Sequence, residues 1–129
     1  MSHHELNDEA ALVDARGFIK LHAKDMGFSM LNQTKIVTAA SELGRNVLEH
    51  GLGGSVLCES LGAGERMGIR LTFEDSGPGI ENLELALSDG YTSKNGLGLG
   101  LSGSKRLMDE FEILTEVGVG TTIVVVKWK

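Results

Sequence analysis

The chain has 129 residues and a formal net charge of −6, with a pI of about 5.1; that is one domain by size and the wrong sign for a protein built mainly to bind nucleic acid. A single cysteine, Cys58, excludes an internal disulfide, and no apolar run approaches the roughly 18 residues of a membrane span. Eighteen glycines stand against one proline, about twice the average share, and the periodic hydrophobic runs exclude low complexity as the cause.

The opening residues, MSHHELNDEA, lack the layout of a secretory signal, so the expectation is a cytoplasmic protein with one domain over 1–129. His3 and His4 are expected in a loose terminus. Helical spacing over 8–26 places Leu12, Ala15, Phe18 or Ile19, His22 and Met26 on one side, with Asp8 as N-cap and Gly27 ending the helix. A second helix is predicted over 30–50, with Ile36, Ala40, Leu43 and Val47 in a stripe whose apolar arc spans about 140°, as in a helix packed on a sheet. Gly51, Gly53 and Gly54 then break the chain.

Ser55–Leu61 and Gly68–Asp75 read as an antiparallel pair, because Ile69, Leu71 and Phe73 alternate with Arg70, Thr72 and Glu74. A short helix over 82–88 and a longer one over 101–111 follow. Two strands, Glu112–Val117 and Thr121–Trp128, close the chain around Gly118-Val119-Gly120. The order predicts an α+β fold, a two-layer sandwich of a mixed, mostly antiparallel sheet with helices on one face.

The glycines are concentrated. Seven lie within the 27 residues from 77 to 103, and only Gly17 and Gly27 fall in the first 43. Asp75-Ser-Gly-Pro-Gly-Ile80 directly follows a strand; it reads either as a plain turn or as a carboxylate at a cleft beside backbone that a flat ring can approach. Gly96-Leu-Gly-Leu-Gly-Leu-Ser-Gly103 opens a helix, where free N–H groups and the helix dipole favour an anion. It also satisfies G-x-G-x-x-G, yet no strand precedes it, so a dinucleotide fold is rejected. A P-loop and the protein-kinase motifs are missing. On the second helix, Glu42, Asn46 and His50 recur every fourth residue beside the apolar arc. They are either a solvated flank or a site in which Asn46 offers an oxygen to a hard cation and Glu42 serves as a base.

Glu-x-x-x-Asn on a helix, Asp-x-Gly-x-Gly after a strand, a glycine loop before a helix and Gly120-Thr121 opening the last strand together resemble the GHKL ATP-binding superfamily. Within it, TAASELGRNVLEHG, EDSGPGI, DGYTSKNGLGLGL, KRLMDEF and GTTIVVVKWK are similar to the RsbT-type switch kinases and anti-sigma-factor kinases. The resemblance implies a Bergerat-type fold binding ATP and Mg²⁺. It implies that Asn46 holds the metal, that Asp75 accepts the adenine amino group, and that Gly77, Gly79 and Ile80 lie against the base. Gly96, Leu97, Gly98, Leu99 and Gly100 would wrap the phosphates, Thr121 would support the adenine end, and Glu42 would be the general base. Residues 89–96 read as a lid, with Lys94 either a γ-phosphate contact or a solvated lysine. The implied activity is serine phosphorylation of a STAS-domain antagonist, with a downstream phosphatase or sigma-factor pathway protein as second partner. The alternatives are an anti-sigma factor that sequesters its target and a stand-alone ATPase.

Overall fold

The computed structural model describes residues 1–80, 87 and 101–129. The predicted helix over 82–88, apart from Leu87, and the segment carrying Lys94 and Gly96 to Gly100 lie outside the described residues.

The first two helices form where their caps predict. Asp8 accepts a hydrogen bond from the Ala11 N–H at 2.8 Å, opening α1 (Glu9–Asp25). At the far end Gly27, at φ +88°, gives its N–H to the Lys24 carbonyl, and Phe28 gives its N–H to Ala23. This paired bonding around a left-handed residue turns the chain sharply. Ser29 then caps α2 (Met30–Glu49) through the Asn32 N–H. The helices approach closely because Gly44 of α2 lies against Leu12 of α1, where a Cβ would collide with the leucine methyl.

Five strands make one sheet in the order β1-β2-β3-β5-β4, every neighbouring pair antiparallel. They are β1 (Ser2–Leu6), β2 (Gly54–Ala63), β3 (Arg66–Asp75), β4 (Glu110–Glu116) and β5 (Gly120–Trp128). The helices cover the face carrying Val56, Cys58, Leu71, Phe73 and Val125, all buried with Leu12, Ile36 and Leu43 in one core. The expected α+β sandwich is therefore sharpened: among the described residues the sheet is wholly antiparallel.

Two boundaries differ from expectation. His3 and His4 are not in a loose terminus, since Ser2–Leu6 pairs with β2 and the Leu6 side chain is fully buried. The predicted helix over 101–111 stops early, as α3 (Leu101–Leu107), and Phe111 instead lies in β4 opposite Val125. Lys127 explains the stop: its Nζ donates to the Leu107 carbonyl at 3.0 Å, and the Asp109 N–H turns to Val126. Cation capping of the last carbonyls ends the helix and strand pairing takes over. No helix among the described residues is long and apolar enough to cross a membrane.

Candidate functional site

One end of the sheet opens into a cavity of about 420 Å³ of empty space, mouth included. Leu43 and Val47 of α2, Phe73 of β3, Leu101 of α3 and Ile123 of β5 make its apolar walls, and Asn46, His50, Asp75 and Thr121 are its polar groups. Apolar walls with a few converging polar groups are the usual build of a small-molecule pocket.

Each polar group arrives by regular structure. Asn46 and His50 are one turn apart near the end of α2 and so share a face. Asp75 ends β3 opposite Thr121 of β5. Its Oδ1 accepts the Gly77 N–H at 2.9 Å, which fixes the carboxylate at the start of the following loop. That loop is tied to the β4–β5 hairpin: Gly118 donates to the Pro78 carbonyl at 2.8 Å and Ile80 to Thr115 Oγ1 at 2.9 Å.

Asn46 Nδ2 and His50 Nε2 are buried and make no hydrogen bond among the described residues. Buried polar atoms are almost always paired. Two such atoms lining one cavity suit a polar occupant. No three His, Cys, Asp or Glu side chains among the described residues converge as a metal site.

Asn46, Asp75, Gly79, Ile80 and Thr121 all line the cavity. Gly77 is held by packing: a Cβ there would lie 2.7 Å from Gly51 Cα and 2.8 Å from the His50 carbonyl. Gly79 has φ +77°, and its Cβ would meet the Glu116 carbonyl at 2.5 Å. Both glycines are thus already demanded by the protein's own backbone, whatever binds beside them. Glu42 is outside the lining, partly exposed one turn before Asn46, with Arg45 Nη1 at 3.8 Å; such a surface pair contributes little. Lys94, Gly96, Leu97, Gly98, Leu99 and Gly100 lie outside the described residues.

His50 is singled out in the sequence only by its spacing from Asn46 and Glu42, with no role attached to it. Thr115 escapes a reading of the sequence, having no local signal at all. Away from the cavity, Cys58 is fully buried in β2, and burial pushes its thiol up to about 11.

The sequence profile of the histidine kinase-like ATPase domain matches residues 6–127. The chain is 39% identical over 117 residues to the serine/threonine-protein kinase RsbT of Bacillus subtilis (strain 168), covering 91% of this chain and 88% of that one. It is 33% identical over 128 residues to an anti-sigma F factor of Bacillus cytotoxicus, covering 95% of this chain and 84% of that one. In structure it resembles the RsbU and RsbW domains of a Mycobacterium tuberculosis protein, with a TM-score of 0.68 and 22% identity over 98% of this chain. It spans 31% of that longer chain. The catalytic domain of the histidine kinase ThkA matches with a TM-score of 0.55 and 19% identity, over 98% of this chain and 95% of that one. The last two likenesses speak to the fold.

Proposed function

The chain belongs to the histidine kinase-like ATPase domain family, and from that premise we propose that it is an ATP- and Mg²⁺-dependent protein kinase of a bacterial partner-switching module. It acts in the cytoplasm as one domain over 1–129, transferring phosphate to a serine of a STAS-domain antagonist and binding a downstream phosphatase or sigma-factor pathway protein. The observation that carries this reading is the cavity lined together by the Asp75 carboxylate, the Thr121 hydroxyl and Asn46, whose buried Nδ2 has no partner among the described residues. The 39% identity to a serine/threonine-protein kinase supports the reaction class.

In this reading Asp75 accepts the adenine amino group, with Thr121 beside it and Gly79 and Ile80 against the base. Asn46 suits Mg²⁺, because its amide oxygen is a hard donor. When bound, the ion neutralises charge on the transferring phosphoryl group. Gly96, Leu97, Gly98, Leu99 and Gly100 surround the phosphates, with Lys94 as a further contact. Glu42, one turn before Asn46 and outside the apolar walls, takes the proton of the incoming serine hydroxyl.

Incubation with labelled ATP, Mg²⁺ and a STAS-domain antagonist tests this. Label on a serine of the antagonist is expected, with Glu42→Ala retaining nucleotide and losing transfer by about 10²- to 10⁴-fold. Steady phosphate release without an acceptor overturns it in favour of an ATPase. The 33% identity to an anti-sigma F factor favours a second reading, in which nucleotide shapes a docking surface for a sigma factor. Co-elution with a sigma factor but no label transfer to the antagonist is its signature.

A further inference from the structure

Three strands end side by side at the base of the cavity. Asp75 of β3 lies opposite Thr121 of β5, and Thr121 lies opposite Thr115 of β4. Directly opposed residues of neighbouring strands share a face of the sheet, so the row runs from the cavity wall outward to Thr115. Thr115 Oγ1 sits at a junction. It accepts the Ile80 N–H at 2.9 Å, donates to the Gly120 carbonyl at 3.3 Å and lies 2.9 Å from Thr121 Oγ1.

A hydroxyl has one proton and two lone pairs. The arrangement that makes all three contacts at once gives one Thr115 lone pair to Ile80 and its proton to Gly120, leaving a single lone pair for Thr121. In that arrangement the Thr121 hydroxyl spends its proton on Thr115 and turns only lone pairs toward the cavity. Beside it the Asp75 carboxylate is also acceptor-only. Thr121 is 9% exposed, so solvent does little to relieve a mismatch there.

We infer that Thr115 is a positioning residue that makes this end of the cavity acceptor-only, and so selects a purine with an amino group at position 6 over one with a carbonyl. An exocyclic amine brings two N–H donors to two acceptors. A 6-oxo purine brings an acceptor at position 6 and only the adjacent N1–H as donor, so at least one of the two buried acceptors stays unpaired, which sites of this kind reject. The inference rests on the nucleotide reading and adds a residue that touches neither base nor phosphate.

The experiment measures affinity of the full chain for ATP and for inosine triphosphate, which differ in this respect at position 6, each with Mg²⁺. Wild type is expected to prefer ATP by about tenfold or more. Thr115→Val frees the Thr121 hydroxyl to rotate and donate, so the preference falls to about threefold or less, whereas Thr115→Ser restores it. An unchanged preference in Thr115→Val overturns the inference, as does an equal loss in Thr115→Ser. Should Thr115→Val fail to fold, Thr121→Val carries the test, because Ile80 keeps its bond to Thr115; an undiminished preference there overturns it equally. Wild type binding both nucleotides alike sinks this inference alone, while wild type binding neither sinks the nucleotide reading beneath it.

Discussion

The two ends of the central strands β3 and β5 treat their polar groups in opposite ways. Around Trp128 the groups find partners within the chain: Lys127 Nζ bonds the Leu107 carbonyl and Asp109, the Trp128 N–H bonds Asp109 at 2.7 Å, and its indole N–H bonds Glu110 at 2.5 Å. Arg66 lies 4.2 Å over the same indole. Around Asp75 and Thr121, the neighbouring Asn46 and His50 each keep a buried polar atom without a partner among the described residues. A satisfied end stabilises the fold. An end whose buried polar atoms lack partners among the described residues is suited to a polar ligand, which is how a binding site differs from a structural network built of similar residues.

The sharpest way to break the contrast is to alter each end and read both stability and binding. Asp75→Asn is expected to weaken ATP binding by roughly 10- to 100-fold, the worth of a charged hydrogen bond, with the melting temperature held because an amide oxygen still accepts from Gly77. Equal ATP affinity in calorimetry would remove Asp75 from the site.

Gly79→Ala tests whether backbone packing by itself demands that glycine. It should lower stability by about 1–3 kcal/mol in urea without any nucleotide present, from the strain of a left-handed alanine. A loss seen only with nucleotide present would return the glycine to the ligand. At the opposite end, Asp109→Ala strands the buried Lys127 ammonium. A loss of about 1–2 kcal/mol is expected, below that for a fully buried pair because Asp109 is partly exposed. ATP affinity should hold, and a drop comparable to that of Asp75→Asn would erase the distinction between the two ends.

Gly17→Ala is the control glycine. It lies in α1, and a Cβ added there would meet nothing within 4 Å, so alanine should raise stability by about 0.5–1 kcal/mol. Gly53 is a poorer control, since its φ of +102° strains any side chain. The smallest effect at neutral pH concerns Cys58. Its thiol, raised from 9.0 to about 11 by burial, should resist thiol reagents in the native protein. Because the folded value is the higher one, the contribution to stability is complete below pH 9 and is lost as pH rises from 9 toward 11. Cys58→Ser should flatten that alkaline loss in melts taken between about pH 8 and 11.

Much of the fold is written in local signals. Asp8 and Gly27 act at the helix ends where they are read, because caps and left-handed turns depend on a few adjacent residues. The alternation of Ile69, Leu71 and Phe73 marks the buried face of β3 for the same reason. β1 is not legible, since His3, His4 and Glu5 carry no strand pattern and are ordered only by pairing with Leu57, Val56 and Ser55. The end of α3 is equally hidden, because the group that stops it, Lys127, lies 20 residues along the chain.

The site divides along the same line. Asn46, Asp75, Gly79 and Thr121 could be picked from the sequence, since each sits at a recognisable place in a helix, a strand end or a turn. The excess of glycine was also visible there, but its cause at Gly77 and Gly79 was not. The sequence determined which residues would be small, polar or apolar. Only the tertiary structure decided that Gly77 meets the end of α2, that Gly79 meets Glu116, and that the Thr115 hydroxyl lies 2.9 Å from that of Thr121. Those contacts join segments distant in the chain, and a hydroxyl's direction is set by its neighbours in space.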